Sequence, residues 1–314
     1  MLRRSWWRAT QVVLALVVIG LAVRHLTRNW AEFRAQEVQV VVQPLWLLVA
    51  LLTVVAAFAM LIEAWRRLVV SQEERLAFLP AARIWLVANL GKYLPGKVWS
   101  IAGAAVLAER AGVGRTAAVT AALVLQALAF GSGVIVVALT APRGFHWGGP
   151  LLATGGAVLG VVAIGGVTLL SAPRVLAWVQ RRLPAGWPAI RPVTPRLVLA
   201  GLAVNAVAWI AYGAALVMLA KGLMPAAVPG FTLATTVFTA SYLVGLVAVF
   251  APAGFGPRES MFILLLSGPL GLKPAVGLAA ASRILLTLVD LILALPFLIR
   301  RRGDTTAPAQ GTRP

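Results

Sequence analysis

Two lysines stand in a stretch of the chain that is otherwise apolar. Lys92 and Lys97 belong to the run Asn-Leu-Gly-Lys-Tyr-Leu-Pro-Gly-Lys-Val-Trp at residues 89–99, which also contains a Pro-Gly break. A lysine facing hydrocarbon costs several kcal/mol, and a broken helix is tolerated at membrane depth only where protein or water satisfies the freed backbone groups. The run is therefore predicted to line a polar cavity.

A second break, at residues 250–259, repeats this pattern of proline, glycine and a cation between apolar segments. Pro257 is well placed to open a helix, because proline is favoured at the first helical position. The first free amides of that helix, together with Arg258, would form an anion site of phosphate size. Lys92 and Lys97 could supply the same chemistry from the first break. Transporters built from two structural halves place their sites at paired broken helices of this kind.

Carboxylates are scarce in the second half of the chain, which makes the few that remain informative. Asp290 follows Arg283 by seven residues, so two helical turns place both on one face of a helix, about 10 Å apart. That separation is too long for a direct pair, but both side chains could face one cavity. We therefore predict a lipid-headgroup site formed by Asn89, Lys92, Lys97, Arg258, Glu259, Arg283 and Asp290.

Each of these residues also has a purely structural interpretation, and the sequence leaves both open. The lysines would snorkel to the membrane interface. Arg258 and Glu259 would cap a helix as an ion pair, and Asn89 would hydrogen-bond two helices together. Arg283 and Asp290 would then pair with other buried groups and only hold helices in place.

The composition is that of a membrane protein, since 61% of the residues are hydrophobic, 12% are charged and the mean hydropathy is +0.91. Soluble proteins carry about 25% charged residues. The net charge is +19, and the cations flank apolar segments. At such positions they meet anionic lipid headgroups, so we predict no nucleic-acid partner. There is no cysteine, and the two histidines have no carboxylate at ligand spacing. We therefore predict no metal and no cofactor.

Runs of about 20 apolar residues predict the membrane crossings. They lie near residues 9–23, 45–62, 116–140, 151–170, 197–220, 231–250 and 275–299, with a shorter apolar piece at 261–270. The expected fold is an all-α polytopic membrane bundle of about eight transmembrane helices, with broken or re-entrant segments near residues 80–107 and 250–270. Residues 1–302 form a single transmembrane domain in this interpretation, and residues 303–314 form a disordered cytoplasmic tail.

The first break is too short to be part of a full crossing. Residues 98–107 reach only about 15 Å as a helix, roughly half a bilayer, so residues 80–107 are predicted to enter and leave on one side. In the alternative, residues 83–107 cross once with a kink at Pro95. Only the path in which residues 80–107 enter and leave on one side places most of the 28 basic residues on one face of the membrane. This charge bias predicts that both termini are cytoplasmic.

The two breaks, together with residues 109–113 and Arg283, resemble a known family. Lys-Tyr-Leu-Pro-Gly-Lys-Val-Trp at 92–99 and Pro-Ala-Gly-Phe-Gly-Pro-Arg-Glu at 252–259 are similar to the transmembrane flippase-like region of lysylphosphatidylglycerol synthases, the multiple peptide resistance factor proteins, and of their stand-alone relatives. The resemblance extends over roughly residues 10–300. It implies a helical bundle of the bacterial cytoplasmic membrane that moves or accommodates lipid headgroups. The resemblance does not imply that this protein synthesises the lysyl lipid, because it covers the membrane region alone.

The leading hypothesis is a lipid translocator that is not an enzyme. Its expected partner is a phospholipid or a polyprenyl-phosphate lipid, whose phosphate the cations of the site would hold. Glu259 and Asp290 would balance the charge or bind a cationic headgroup. One alternative is a membrane enzyme acting on a polyprenyl-phosphate or glycolipid, with Glu109 or Glu259 as general base. Another is a scaffold subunit in envelope biogenesis. The headgroup, the direction of movement and assembly into a homo-oligomer are left open.

Overall fold

The structure, a computed structural model, describes residues 40–94, 98–141, 191–248 and 251–299, together with residues 165, 174, 177 and 181. Within the four long ranges the chain forms helices α1 Pro44–Val70, α2 Phe78–Asn89, α3 Val98–Arg110, α4 Arg115–Thr140, α5 Pro195–Leu223, α6 Phe231–Val247, α7 Pro257–Leu270 and α8 Leu272–Ile299. Two short 3₁₀ turns, Leu90–Tyr93 and Pro252–Gly254, mark the two breaks. The crossings predicted at 9–23 and 151–170 and the tail at 303–314 lie outside the described residues.

Four of these helices, α1, α4, α5 and α8, are long and apolar enough to cross a membrane. Helix α8 illustrates the pattern, with Ile284, Leu288 and Leu295 exposed on one side and Ser282 and Asp290 buried on the other. An apolar outer face with polar groups turned inward is what a lipid environment requires. The chain is thus an all-α, multi-pass membrane protein, as the sequence predicts.

Helices α1 and α5 are antiparallel, and their pairing defines two ends of the bundle. The backbone N–H of Val41 donates to the carbonyl of Leu223 at 3.0 Å, so α1 begins where α5 ends. At the other end, the side chain of Gln72 exchanges hydrogen bonds with the backbone of Arg191, just before α5. We refer to these as the Leu223 end and the Arg191 end.

Helices α2 and α3 form a hairpin that inserts from the Arg191 end. Glu74, before α2, accepts a hydrogen bond at 2.8 Å from the backbone N–H of Gly114, after α3. The two ends of this first hairpin are therefore adjacent. Its helices have 12 and 13 residues, about 20 Å each at 1.5 Å per residue. The kinked single crossing of residues 83–107 is not the observed path.

Helix α6 begins at the Leu223 end and stops near the middle of the bundle. The hydroxyl of Thr236, early in α6, lies 2.8 Å from that of Thr140 at the end of α4. Seven residues further along α6, Leu243 packs against Gly133 of α4. This antiparallel pairing brings the end of α6 level with the central turns of α4.

After the second break, α7 returns to the Leu223 end. Only Gly271 separates α7 from α8, and Gly277 in the first turns of α8 lies against Met224, which follows α5. Helices α6 and α7 therefore form a second hairpin, opposite in direction to the first. The sequence predicts a crossing at 231–250, a short apolar piece at 261–270 and a broken or re-entrant segment near residues 250–270. The chain turns back because the intervening segment is not helical: Ala253, Gly254 and Gly256 all have positive φ.

The tips of the two hairpins touch, since the turn Leu90–Tyr93 packs against the turn Pro252–Gly254. Both tips depend on glycine for close backbone approach. A Cβ on Gly91 would lie 2.8 Å from the backbone of Trp99 and Ser100, and one on Gly254 would lie 2.8 Å from Cα of Gly245. Since backbone cannot swing aside as a side chain can, neither position accommodates a larger residue without separating the packed segments.

Replacing Gly91 by alanine should destabilise the first hairpin by about 1–3 kcal/mol, the typical cost of overpacking. Gly230→Ala, just before α6, is the matched control, because no atom lies within 4 Å of the added Cβ and its φ of −60° and ψ of 150° are open to alanine. Denaturation of the purified protein in detergent, followed by circular dichroism, measures both. Equal midpoints for the two variants would contradict the packing of the hairpin tip.

Candidate functional site

The carboxylate of Asp290 is the centre of the first polar cluster, and only 1% of its side chain is exposed. The ammonium Nζ of Lys92 lies 2.6 Å from its Oδ2, and the hydroxyl of Tyr93 donates to the same oxygen at 2.7 Å. The amide Nδ2 of Asn89 donates to Oδ1 at 2.8 Å. We refer to these four residues as the Asp290 cluster. It joins the tip of the first hairpin to the middle of α8.

The local sequence explains why these donors converge. Asn89 is the last residue of α2, and Lys92 and Tyr93 lie in the 3₁₀ turn that follows. The tighter turn directs three polar side chains from five consecutive residues toward one neighbour. Each oxygen of Asp290 is therefore hydrogen-bonded, which is the condition under which a buried carboxylate is tolerated.

The carboxylate of Glu259 is the centre of the second cluster, at the start of α7. Its Oε2 accepts a hydrogen bond at 2.8 Å from the backbone N–H of Gly256. Its Oε1 lies 2.9 Å from Nε of Arg283 and 3.4 Å from Nη1 of Arg258. Arg258 also donates to the hydroxyl of Ser282 at 3.3 Å. We call Arg258, Glu259, Ser282 and Arg283 the Glu259 cluster.

The two guanidinium groups of this cluster are not fully satisfied. Arg258 is 3% exposed, and its guanidinium lies 5.3 Å from the ring centre of Phe238. Arg283 donates to the carbonyl of Ala253 at 2.9 Å. Even so, Nε of Arg258 and both Nε and Nη2 of Arg283 are buried without a hydrogen-bond partner in the described part of the chain. The Nε of Arg283 is close to Glu259 but is not aligned for a hydrogen bond.

The two clusters together carry one excess positive charge. Lys92, Arg258 and Arg283 contribute the cations, and Glu259 and Asp290 contribute the carboxylates. Lys92 neutralises Asp290, whereas two arginines share Glu259. Buried donors that lack acceptors attract an anion, because an unpaired polar group in a low-dielectric interior is costly.

The structure places the predicted site residues in these two clusters. Asn89, Lys92 and Asp290 come together, as do Arg258, Glu259 and Arg283, and the touching hairpin tips bring the clusters near each other. Lys97 lies outside the described residues. Arg283 and Asp290 share one helix but have different partners. The backbone N–H of Gly256, just before α7, already holds the carboxylate of Glu259, so a phosphate that approaches the start of α7 would meet that carboxylate.

Sequence reasoning missed three residues that complete the clusters. Tyr93 lies inside the recognised motif, but its hydroxyl has no distinguishing sequence signal. Ser282 precedes Arg283 directly, and a serine in an apolar helix is ordinary. Phe238, which packs against Arg258, lies 20 residues away on α6 and only the fold brings it close.

A cavity of about 170 Å³ lies beside the Asp290 cluster. Asn89 forms part of its wall, together with residues of α1, α3, α4, α5 and α6. The wall contains aromatic rings and uncharged polar groups, the latter being Asn89, Ser100, Gln126, Asn205, Tyr212 and Tyr242. A charged side chain is absent from this wall among the described residues.

The fold and the paired clusters define a polytopic membrane protein with charged groups at two touching helix breaks. The chain belongs to the family described as the lysylphosphatidylglycerol synthase TM region, whose model matches residues 8–294. This match confirms the resemblance carried by the two motifs. No curated protein matches the chain.

Replacing Lys92 by methionine should destabilise the fold by about 3 kcal/mol or more, because it leaves the buried carboxylate of Asp290 without its cation. The double variant Lys92→Met/Asp290→Asn should recover most of this loss, since it removes both charges. Unfolding free energies of the two single variants and the double variant give the coupling.

Glu109→Gln serves as the control for this cycle, because Glu109 pairs with Arg115 and both are exposed. Its cost should be below about 1 kcal/mol. Additive effects of Lys92→Met and Asp290→Asn would show that the two charges do not stabilise each other.

Proposed function

We propose that this protein binds a phosphate-bearing lipid and translocates it across the bacterial cytoplasmic membrane. The observation that supports this most directly is the sharing of one carboxylate, Glu259, by two arginines deep in the bundle. The surplus charge and the three unsatisfied N–H groups match an acceptor with several oxygens. A lipid phosphate has this chemistry, and guanidinium groups bind it in well-defined geometry.

In this proposal Glu259 occupies the arginines while no lipid is bound. A phosphate that enters the cluster competes with the carboxylate for Arg258 and Arg283. The exchange replaces one anion by another, so the buried arginines keep a counter-charge throughout. Departure of the lipid restores the original pairing, which keeps the bound state from becoming too stable for release.

The opposed hairpins would provide the path. Each hairpin helix is shorter than a long crossing, and we propose that the two hairpins re-enter the membrane from opposite sides. Broken helices that meet near the midplane are typical of transporters in which access alternates between the two faces. The tips would then separate the two access routes, with the clusters at their junction.

We also propose that the Arg191 end faces the cytoplasm. Positively charged residues favour the cytoplasmic side of a membrane. The described basic residues at that end include Arg66, Arg67, Arg110, Arg115, Arg191 and Arg196, whereas Lys221 and Lys273 lie toward the other end.

A transporter is favoured over an enzyme by the positions of the candidate bases. Glu109 is exposed at the end of α3 and pairs with Arg115. Glu259 is engaged by two arginines and a backbone N–H. Neither carboxylate is arranged to accept a substrate proton, since a general base needs a free lone pair within reach of the reacting group.

Purified protein in vesicles should accelerate transbilayer movement of phosphatidylglycerol labelled on its acyl chain, and Arg283→Gln should reduce the rate at least tenfold. The loss follows from removing the less buried of the two phosphate-binding cations. Reduction of the label in the outer leaflet measures the movement. Arg115→Gln removes a positive charge from the exposed surface and should leave the rate unchanged. Equal rates for wild type and Arg283→Gln would refute the proposal.

Binding of phosphatidic acid should respond in opposite directions to two neutralising substitutions in the Glu259 cluster. Glu259→Gln removes the competing anion and should tighten binding several-fold, while its amide oxygen can still accept from Gly256. Arg283→Gln should weaken binding by a similar factor. Titration followed by native mass spectrometry measures both. If both variants weaken binding equally, the ion pairs serve only to hold the helices.

A further inference from the structure

Helix α6 carries a buried hydroxyl that has no partner. Ser241 is fully buried, and its Oγ forms no hydrogen bond with any described residue. A hydroxyl within a helix can donate to the backbone one turn earlier, as Thr235 of α6 does to the carbonyl of Phe231 at 2.9 Å. Ser241 makes neither this bond nor another, and a buried hydroxyl in that state is costly. Its O–H is therefore available to an acceptor.

The side chain of Arg258 extends along the same face of α6. Its Cβ and Cγ lie against Gly245, since a Cβ added to that glycine would be 3.0 and 3.7 Å from them. At the far end of the side chain, the guanidinium carbon lies 5.3 Å from the ring centre of Phe238. Ser241 follows Phe238 by three positions and precedes Gly245 by four, so all three lie on one face of the helix. The middle of the Arg258 side chain is therefore beside Ser241.

The nitrogen in the middle of that side chain is Nε, and it also lacks an acceptor. The other two nitrogens of Arg258 are engaged, Nη1 by Glu259 at 3.4 Å and Nη2 by Ser282 at 3.3 Å. Ser241 does not accept from Nε, because both atoms are without a partner. Two buried donors thus face one region between α6 and α7. A single oxygen atom placed there would accept from both.

The charge of Arg258 favours an anionic oxygen at this point, because a hydrogen bond between an ionised donor and an ionised acceptor is the strongest kind. Glu259 does not supply it. Its Oε1 is directed to Arg283 and to Nη1 of Arg258, and its Oε2 accepts from Gly256. A phosphate carries several oxygens in a tetrahedral arrangement. One of them can accept from Nε and Ser241 while another faces Arg283.

We propose that Ser241 is a binding residue for the lipid phosphate, and that its hydroxyl shares one phosphate oxygen with Nε of Arg258. The proposal rests on the proposed function, because it adds a donor to the phosphate assigned to the Glu259 cluster. It makes α6 the third helix of the site, beside α7 with Arg258 and α8 with Arg283. A bound phosphate would then hold both helices of the second hairpin.

Titration of the full chain in detergent with phosphatidic acid, read by native mass spectrometry, tests this assignment. Ser241→Ala should weaken binding about fivefold, the usual effect of losing one hydrogen bond. Without lipid, the same variant should unfold at the temperature of the wild type or above it, because it removes an unpartnered buried hydroxyl. Unchanged affinity, or a lower unfolding temperature without lipid, would overturn the proposal and assign Ser241 to packing.

Thr239→Val is the matched control. Thr239 lies on the same helix, is equally buried, and its hydroxyl also has no partner among the described residues. Its neighbours one turn away, Thr236 and Leu243, both contact α4, so it lies on a different side of α6 from Ser241. The substitution should leave the affinity for phosphatidic acid unchanged. Equal losses in Thr239→Val and Ser241→Ala would show that both act through the packing of α6, against the proposal.

Two further comparisons separate this inference from the proposed function. If Arg283→Gln weakens binding while Ser241→Ala does not, the phosphate site stands and the contribution of α6 fails. If Arg283→Gln has no effect either, the proposed function itself fails. Inorganic phosphate at the concentration of the lipid should not displace phosphatidic acid from the wild type, because the site is assigned to a lipid phosphate. Displacement would identify a free oxyanion as the ligand and overturn that assignment.

Discussion

The structure depends on keeping a buried carboxylate satisfied between two distant parts of the chain. Asp290 is almost fully buried, and its oxygens are held by Asn89, Lys92 and Tyr93. An uncompensated charge at such depth costs about 3–5 kcal/mol, comparable with much of the stability of a domain. This cost fixes the tip of the first hairpin against α8. The position of that tip then determines where the second hairpin can end, because the two tips touch.

In both clusters a buried charge needs partners, but the charges and N–H groups of the Asp290 cluster are more completely paired than those of the Glu259 cluster. In the Asp290 cluster one carboxylate meets one cation and two neutral donors, so its charge is balanced. In the Glu259 cluster one carboxylate meets two cations, and three buried N–H groups remain without acceptors. The first arrangement is what a structural joint needs. The second is costly as a structural joint, and an anionic ligand would remove that cost.

The parts of this arrangement that follow from local chemistry could be predicted from the sequence. Proline, glycine and cations within apolar stretches indicated both breaks, and the rarity of carboxylates singled out Glu259 and Asp290, which lie at the centres of the two charged clusters. The pairing of Lys92 with Asp290 could not be read in the same way, because 198 positions separate them and Lys92 could equally have paired with Glu259. Only the packing of α2 against α8 decides between these partners.

The sequence predicts a broken or re-entrant segment near residues 250–270, but it does not show that the hairpin already begins with α6. Residues 231–250 are as apolar as a true crossing, and the 17 residues of α6 are near the lower limit of a span. Its direction is decided by neighbours: Thr236 and Leu243 align α6 with α4, and Gly277 places the end of α7 near Met224. The length of an apolar segment does not show whether its helix crosses the membrane or turns back, because both kinds of helix are equally apolar when they pack within protein.

The two hairpins point in opposite directions and meet at their tips. Each hairpin presents its free backbone groups and its charged residues at the tip, while its helices bury their own backbone bonds. With the tips in contact, the polar groups of both hairpins lie near each other within the bundle. In the proposed function, a headgroup at this position would exchange hydrogen bonds with protein instead of water. Because those contacts would come from both hairpins, a small separation of the tips would change which end of the bundle the site can reach without removing the site.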